Sequence, residues 1–110
     1  MNNEEKRLYR RYPIKVLKTL RFKNNNKSYE IDGFIENISL GGCNFISTDS
    51  IPDNVSEVFF EIRYENNNMP LILEVVRRRE VIFFKKDCYE YGLKFTEDLD
   101  INMIKNMKFI

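Results

Sequence analysis

Apolar side chains recur at every second position along most of this 110-residue chain. The clearest segment carries four of them at alternate positions: Val58, Phe60, Ile62 and Tyr64. A period of two residues is typical of a β-strand with one buried face. Polar segments rich in Asn and Lys separate such strands at 23–27, 65–68 and 85–87 and are typical of turns. The pattern predicts an all-β fold, a small antiparallel β-barrel of six to seven strands.

The two ends of the chain depart from this strand pattern. Residues 1–12 are polar and charged without an apolar stripe, so we expect a flexible arm there and a barrel domain over residues 13–110. Near the C-terminus the apolar residues change to helical spacing: Leu99, Met103, Ile104, Met107 and Ile110. Asp98 or Asp100 is a candidate N-cap. We therefore predict a C-terminal α-helix from about residue 98, packed on its own barrel rather than on a partner.

Charged residues within the predicted strands are expected to face solvent. Near the N-terminus this applies to four lysines: Lys15, Lys18, Lys23 and Lys27. Leu17 and Lys18 interrupt the alternation of the first strand, which predicts a bulge or a two-sided strand. Arg77, Arg78 and Arg79 are interpreted as a solvated strand face, and the alternative is that one of them reaches a binding site. Gly92, inside the last strand, is expected to serve barrel curvature.

The composition disfavours metal chemistry and histidine-dependent catalysis. The chain has no histidine and only two cysteines, Cys43 and Cys88, which we expect to be small buried residues in a reducing cytoplasm. No apolar run approaches the roughly 18 residues of a membrane span, and the N-terminus lacks the apolar centre of a signal peptide. The sequence therefore predicts a cytoplasmic protein without membrane insertion.

Basic charge is concentrated near the N-terminus. Residues 1–30 contain nine Lys and Arg against three acidic residues, whereas residues 31–110 contain nine against fourteen. This division favours an anion-binding function for the arm. It disfavours binding to duplex DNA, because that requires a wide basic face.

Two short motifs carry the candidate binding chemistry. Arg7 and Arg11 form an R-x-x-x-R on the arm, and each guanidinium offers a planar fork of donors for phosphate or for the acceptor edge of guanine. Asn37, Ser39 and Gly42 form an N-x-S-x-x-G between two predicted strands. Such a turn supplies small polar groups and allows close backbone approach. Asn37 and Ser39 could also serve only to satisfy backbone groups within the turn.

The order of these motifs, the Arg11-Tyr12-Pro13 lead into the first strand and the all-β context resemble the PilZ domain, a bacterial receptor module for cyclic di-GMP. The resemblance covers nearly the whole chain. It implies that Arg7 and Arg11 grip the phosphates and guanine edges of the ligand. Asn37 stands where the family pattern has Asp or Asn, and its amide has one acceptor oxygen and an NH₂ donor instead of a carboxylate.

The same resemblance implies roles for the remaining motif residues. Ser39 would offer a hydroxyl to a base or phosphate, and Gly42 would let the turn close where a side chain would collide with the ligand. Neighbours of the two motifs are candidate additional contacts: Lys6, Arg10 and Gly41. Arg10 and Lys6 could equally contribute surface charge without a fixed geometry.

We interpret the chain as a binding module without catalysis, since Ser39 has no histidine to activate it. Cyclic di-GMP would bridge the arm to the N-x-S-x-x-G turn, and the ordered arm would signal to an unidentified downstream protein. The resemblance suggests control of motility, biofilm or exopolysaccharide export, by a monomer or weak dimer. One alternative is a small barrel that binds single-stranded nucleic acid through exposed aromatics. Another is an adaptor that binds only protein.

Overall fold

The computed structural model describes residues 12–64, 66–97 and 108–109. They form seven β-strands, listed here in chain order: β1 Tyr12–Asn24, β2 Lys27–Ile38, β3 Gly42–Ser47, β4 Glu57–Tyr64, β5 Asn67–Phe83, β6 Lys86–Phe95 and β7 Lys108–Phe109. Each long strand contains the alternation seen in the sequence. The predicted strands are therefore confirmed, and most extend a few residues further than the apolar pattern alone indicates.

The strands form a closed antiparallel barrel. Their order is β1-β2-β3-β6-β5-β4, and β1 also pairs with β4 where Arg21 lies opposite Phe59. That last pairing joins the two edges of the six-stranded sheet, which removes unpaired edges from this part of the barrel. The two-residue strand β7 pairs with β4 at Ile62 and Arg63. The prediction of a small barrel of six to seven strands is confirmed.

The C-terminal prediction is only partly within reach of the structure. Residues 98–107, which carry most of the predicted helix, lie outside the described residues. Lys108 and Phe109 are described as strand β7, so a helix does not include these two residues. Among the described residues, no helix is long and apolar enough to span a bilayer.

Two tight hairpin turns use left-handed backbone. The β1–β2 turn is Asn25-Asn26, with φ of 53° and 65°, and asparagine tolerates this conformation well. The β5–β6 turn is Phe84-Lys85, with φ of 50° and 63°. The sequence predicted this second turn over 85–87 rather than at Phe84-Lys85. The difference arises because neither Phe84 nor Lys85 is a usual residue for a two-residue turn.

The barrel interior is filled by the apolar face of each strand. The largest fully buried side chains are Phe45, Phe60, Leu20, Ile35, Ile38, Ile62, Leu73 and Val58. Cys43 and Cys88 are both buried and free, which confirms their interpretation as small buried residues. Burial raises the pKa of the Cys43 thiol to about 12, so this sulfur stays protonated and unreactive at neutral pH.

The loop between β3 and β4 is fastened to the barrel by one arginine. Arg78 donates hydrogen bonds to the carbonyl oxygens of Ile51 (2.8 Å), Pro52 (3.2 Å) and Val55. Its guanidinium lies 5.8 Å from the ring centroid of Tyr91, whose hydroxyl accepts a 2.7 Å hydrogen bond from the Ile51 amide. Arg78 is therefore a structural residue of the loop, and the prediction of a solvated arginine face is wrong at this position.

Lys18 is buried, contrary to the prediction that it faces solvent. Only 4% of its surface is exposed, whereas its neighbour Leu17 is 66% exposed. The β1–β2 register is continuous from Lys15 to Asn24, so no bulge interrupts the strand here and strict alternation turns Lys18 inward. Its ammonium nitrogen lies 5.8 Å from the ring centroid of Phe60, a cation–π distance. Burial lowers the pKa of Lys18, partly offset by Glu61.

We expect Lys18→Met to increase the free energy of unfolding near neutral pH, because burying a charged amine is unfavourable. The gain should shrink as the pH rises towards 10.5, the ordinary pKa of lysine. With a lowered pKa the folded protein binds fewer protons than the unfolded chain, so wild-type stability rises with pH in this range. Urea unfolding of both proteins at about pH 7 and about pH 10 measures the difference. A gain of equal size at both pH values would contradict the expectation.

Candidate functional site

The turn between β2 and β3 is organised by the side chain of Ser39. The Ser39 hydroxyl accepts hydrogen bonds from the amides of Gly41 (3.2 Å) and Gly42 (3.3 Å). The Ser39 amide donates a 2.8 Å hydrogen bond to the carbonyl oxygen of Gly42. Ser39 thus satisfies backbone groups of its own turn, the alternative role that the sequence left open. Its geometry also fixes where Asn37 and the glycines lie.

Asn37 has an unusual backbone for a residue at the end of a strand. Its φ is 53°, in the left-handed region that asparagine enters more readily than most residues. The next residue, Ile38, is buried with 2% exposure, so it anchors the turn to the core. Asn37 is partly exposed beside this anchor. The choice of Asn at this position therefore has a backbone cause in addition to any role of its amide.

Gly42 is required by the approach of β6. A Cβ atom on Gly42 would overlap the carbonyl oxygen of Leu93. The neighbouring Gly41 carbonyl accepts a 3.0 Å hydrogen bond from the amide of Phe95. The sequence attributed the need for glycine to the space of a ligand, but the close contact in the structure is with the barrel backbone.

A shallow pocket of about 200 Å³ lies on the outer surface at this turn. The motif residues that line it are Asn37, Ser39, Gly41 and Gly42. Three further polar side chains line it from the adjoining strands: Asn44 of β3, Arg77 of β5 and Lys94 of β6. None of the described lining residues is a carboxylate, so the pocket combines two cations with neutral donors and acceptors. This chemistry suits an anionic ligand with hydrogen-bonding edges.

Arg77 enters this pocket through a fixed side-chain arrangement. It donates a 3.0 Å hydrogen bond to the amide oxygen of Asn44 and lies 3.8 Å from a carboxylate oxygen of Glu90. Glu90 makes a shorter contact of 2.6 Å with Arg79. Of the three consecutive arginines, Arg77 lines the turn pocket, Arg78 holds the loop and Arg79 pairs with Glu90 outside the pocket.

Asn44 and Lys94 were missed by the sequence analysis. A signal was present in the strand period, because Asn44 follows Gly42 by two residues and Lys94 follows Gly92 by two. Residues two apart on a strand share a face. Finding them required the pairing of β3 with β6, in which Gly42 lies opposite Lys94 and Asn44 opposite Gly92.

The predicted arm residues Lys6, Arg7, Arg10 and Arg11 lie outside the described residues. The structure does describe the residue that follows them, because β1 begins at Tyr12, one residue before the predicted start of the barrel. Tyr12 pairs with Ile38, which lies between Asn37 and Ser39. Antiparallel partners have Cα atoms about 4.5–5.5 Å apart. Tyr12, the residue that follows Arg11 in the sequence, therefore lies beside the N-x-S-x-x-G turn.

Three pockets of the described surface are larger than the turn pocket, and one of them, of about 400 Å³, is lined by residues of β5 and β6 outside the motifs. The other two also have other characteristics. One of about 430 Å³ lies between the β3–β4 loop and the β5–β6 hairpin, where Arg78 is already bonded to loop carbonyls. Another of about 550 Å³ is lined by Phe22, Phe59 and Ile72 and contains none of the motif residues. Within the described part of the chain, no group of three or more acidic or cysteine side chains is arranged to hold a metal ion. The turn pocket is therefore the best candidate site.

Comparisons with known proteins agree with this fold. A family model described as the PilZ domain matches residues 5–108. Among solved structures, the chain is similar to the PilZ domain with c-di-GMP of YcgR from Escherichia coli, at 12% identity and a TM-score of 0.59, covering 91% of this chain and 85% of that one. It is also similar to the inhibitor of motility MotI/DgrA from Bacillus subtilis, at 20% identity and a TM-score of 0.54, covering 91% of this chain and 47% of that one. Comparison with curated protein sequences found no match.

The left-handed backbone of Asn37 leads to a prediction about the stability of variants at this position. Both Asn37→Gly and Asn37→Ala remove the amide, but alanine is strained at φ of 53°. We expect the alanine variant to have a free energy of unfolding about 1 kcal/mol lower than the glycine variant, measured by urea denaturation. Asn68, on β5 without positive φ, is the matched control, and there alanine should be the more stable by about 0.5–1 kcal/mol. If the glycine and alanine variants had the same order of stability at positions 37 and 68, the backbone role of Asn37 would be contradicted.

Proposed function

Because this chain belongs to the PilZ domain family, we propose that it is a receptor module that binds cyclic di-GMP. In this proposal the ligand lies between the R-x-x-x-R motif and the pocket at the β2–β3 turn. Arg7 and Arg11 contact its phosphates and guanine edges, and Asn37, Ser39 and Gly42 form the opposite wall. Lys6, Arg10 and Gly41 are additional candidate contacts.

The observation that carries this proposal is the pairing of Tyr12 with Ile38. Arg11 is the residue before Tyr12, and Asn37 and Ser39 flank Ile38 in the sequence. A Cα-to-Cα step is 3.8 Å, so we propose that the side chain of Arg11 can reach the turn pocket. Each motif is weak when taken alone, and the pairing of Tyr12 with Ile38 supports the proposal that they act together.

The composition of the pocket agrees with a cyclic dinucleotide of guanine. Guanine O6 and N7 are adjacent acceptors that match one guanidinium fork. The ligand also carries two phosphate anions, and the positive charge of Arg77 and Lys94 in the pocket favours an anion without assigning either side chain to a phosphate. Lysine in place of either arm arginine would keep the charge but lose the bidentate geometry.

The pocket is too small to enclose the proposed ligand, which argues that further residues complete the binding site. Pockets that enclose a drug-sized ligand measure about 300–1,000 Å³, whereas this one measures about 200 Å³. A cyclic dinucleotide would therefore lie partly outside it, on the side where residues 7–11 join β1. Binding would fix these residues against the ligand.

Such a fixed arm is the signalling element of the proposal. The ligand favours the state in which residues 5–12 lie against the pocket, and a downstream protein recognises that state. The similarity to a protein titled inhibitor of motility makes a regulator of motility one candidate downstream process. Biofilm and exopolysaccharide control are the others.

The first test is calorimetric titration of the wild-type protein with cyclic di-GMP, cyclic di-AMP and GTP. We expect saturable binding of cyclic di-GMP that exceeds binding of cyclic di-AMP, since adenine lacks the paired O6 and N7 acceptors. Arg11→Ala should weaken cyclic di-GMP binding by about tenfold or more, the effect of losing one bidentate contact. Arg63→Ala, an exposed arginine on β4, is the control with the same charge change and should bind like wild type.

A parallel titration with single-stranded oligonucleotides tests one alternative. Binding with strong salt dependence and little base preference would favour a nucleic-acid-binding barrel. Absence of any heat with cyclic di-GMP would favour a protein-binding adaptor. Equal affinity of wild type and Arg11→Ala would sink the role assigned to the arm.

The second test is hydrogen exchange of the backbone amides. Saturating cyclic di-GMP should slow exchange at residues 5–12, because those amides become fixed against the ligand and the turn. Residues 66–69, at the β4–β5 turn, serve as the internal control and should exchange at an unchanged rate. Unchanged exchange at 5–12 despite measured binding would exclude arm ordering as the signal.

A further inference from the structure

We propose that Arg77 is a further ligand-binding residue of this site, and that its guanidinium is a flat platform on which one guanine base of the ligand stacks. This inference rests on the proposed function, because it assigns a role within the same pocket. It concerns a side chain outside both sequence motifs.

A β-bulge in β5 places Arg77 on the outer surface. Val75 pairs with Leu93 and Arg77 pairs with Gly92, so Val76 is an extra residue without a partner in this register. Leu71 and Leu73 face the core, and uninterrupted alternation would turn Arg77 inward with them. The bulge reverses this alternation, which directs Arg77 outward to the pocket and Arg78 inward to Tyr91. Bulges commonly redirect side chains beside binding sites.

Gly92 provides the surface on which the Arg77 side chain lies. Asn44, Gly92 and Arg77 are opposite one another in a row across β3, β6 and β5. Arg77 crosses over Gly92 to reach the Asn44 amide oxygen at 3.0 Å. A Cβ atom on Gly92 would lie 3.1 Å from Cβ, 3.4 Å from Nε and 3.5 Å from Cζ of Arg77. The guanidinium is therefore packed against backbone that carries no side chain. Besides the barrel curvature predicted for it, Gly92 leaves room for the Arg77 side chain.

The remaining face of the guanidinium is available to a ligand. One face lies over Gly92, one edge is bonded to Asn44, and Glu90 lies 3.8 Å away. The side chain is still 50% exposed, and it lines the pocket with Asn37 and Ser39. A held, planar cation with one open face is the arrangement on which purine bases stack. Because Nη2 already donates to Asn44 and lies near Glu90, we assign the open face of Arg77 to stacking on a base rather than to a bidentate grip on phosphate.

The test compares Arg77→Lys with Arg79→Lys in titrations with cyclic di-GMP. Both changes keep the charge, and both arginines contact Glu90, but only Arg77 lines the pocket. Arg77→Lys should weaken binding by about five- to 150-fold, the range for loss of one base stack. Arg79→Lys should stay within about twofold of wild type. Circular dichroism and thermal unfolding verify that both variants are folded.

A second measurement uses the unchanged protein. The side-chain Nε–H proton of Arg77, assigned by NMR in the wild-type domain, should shift upfield when cyclic di-GMP is added, because it would lie over the face of the base. A downfield shift or no shift at saturation would overturn the stacking role, and so would full affinity of Arg77→Lys. These outcomes leave cyclic di-GMP binding intact. Failure of the wild-type protein to bind would instead overturn the proposed function, and the inference with it.

Discussion

The strand register that closes the barrel is the constraint on which the rest of this structure depends. Once β1 pairs with β4 at Arg21 and Phe59, no strand can slip by one residue without turning its whole apolar set towards solvent. Phe45, Phe60 and Leu20, all fully buried, would then lose their environment together. The same rule explains the burial of Lys18, because a strand that cannot slip must accept the side chain that alternation directs inward.

The register is interrupted at two places, and both are close to the candidate site. One irregularity lies between Tyr12 and Lys15 of β1, where the chain leaves the arm beside Ile38. The other lies between Val75 and Arg77 of β5, where it reverses which arginine faces the pocket. Interruptions of this kind give up ladder hydrogen bonds and are retained where a side chain must be redirected. In the described residues, the barrel is regular where it forms the core and irregular beside the candidate site.

The sequence carried enough information for the strands but only part of the site. Alternation predicted the strand of Val58 and its neighbours because burial of one face imposes a two-residue period. Alternation could not predict that Arg77 faces outward and Arg78 inward, since a bulge of one residue leaves no compositional signal. The position of Phe84 in a left-handed turn was missed for a similar reason, because tertiary pairing of β5 and β6 overrides its local preference. The motif spacing indicated Asn37, Ser39 and Gly42, and the contribution of Asn44 emerged only from cross-strand pairing.

In the proposed complex, charge explains why the contact between the arm and the turn pocket depends on the ligand. The pocket contributes Arg77 and Lys94 and, among its described lining, no carboxylate, while the arm carries Arg7 and Arg11. Two groups of like charge repel weakly across an exposed surface, by about 1 kcal/mol or less per pair and less at high salt. In the proposed complex, a ligand with two phosphates between them would reverse the sign of that interaction. An aspartate at position 37 would attract the arm without ligand, so the neutral amide of Asn37 would make the proposed contact conditional on the dinucleotide.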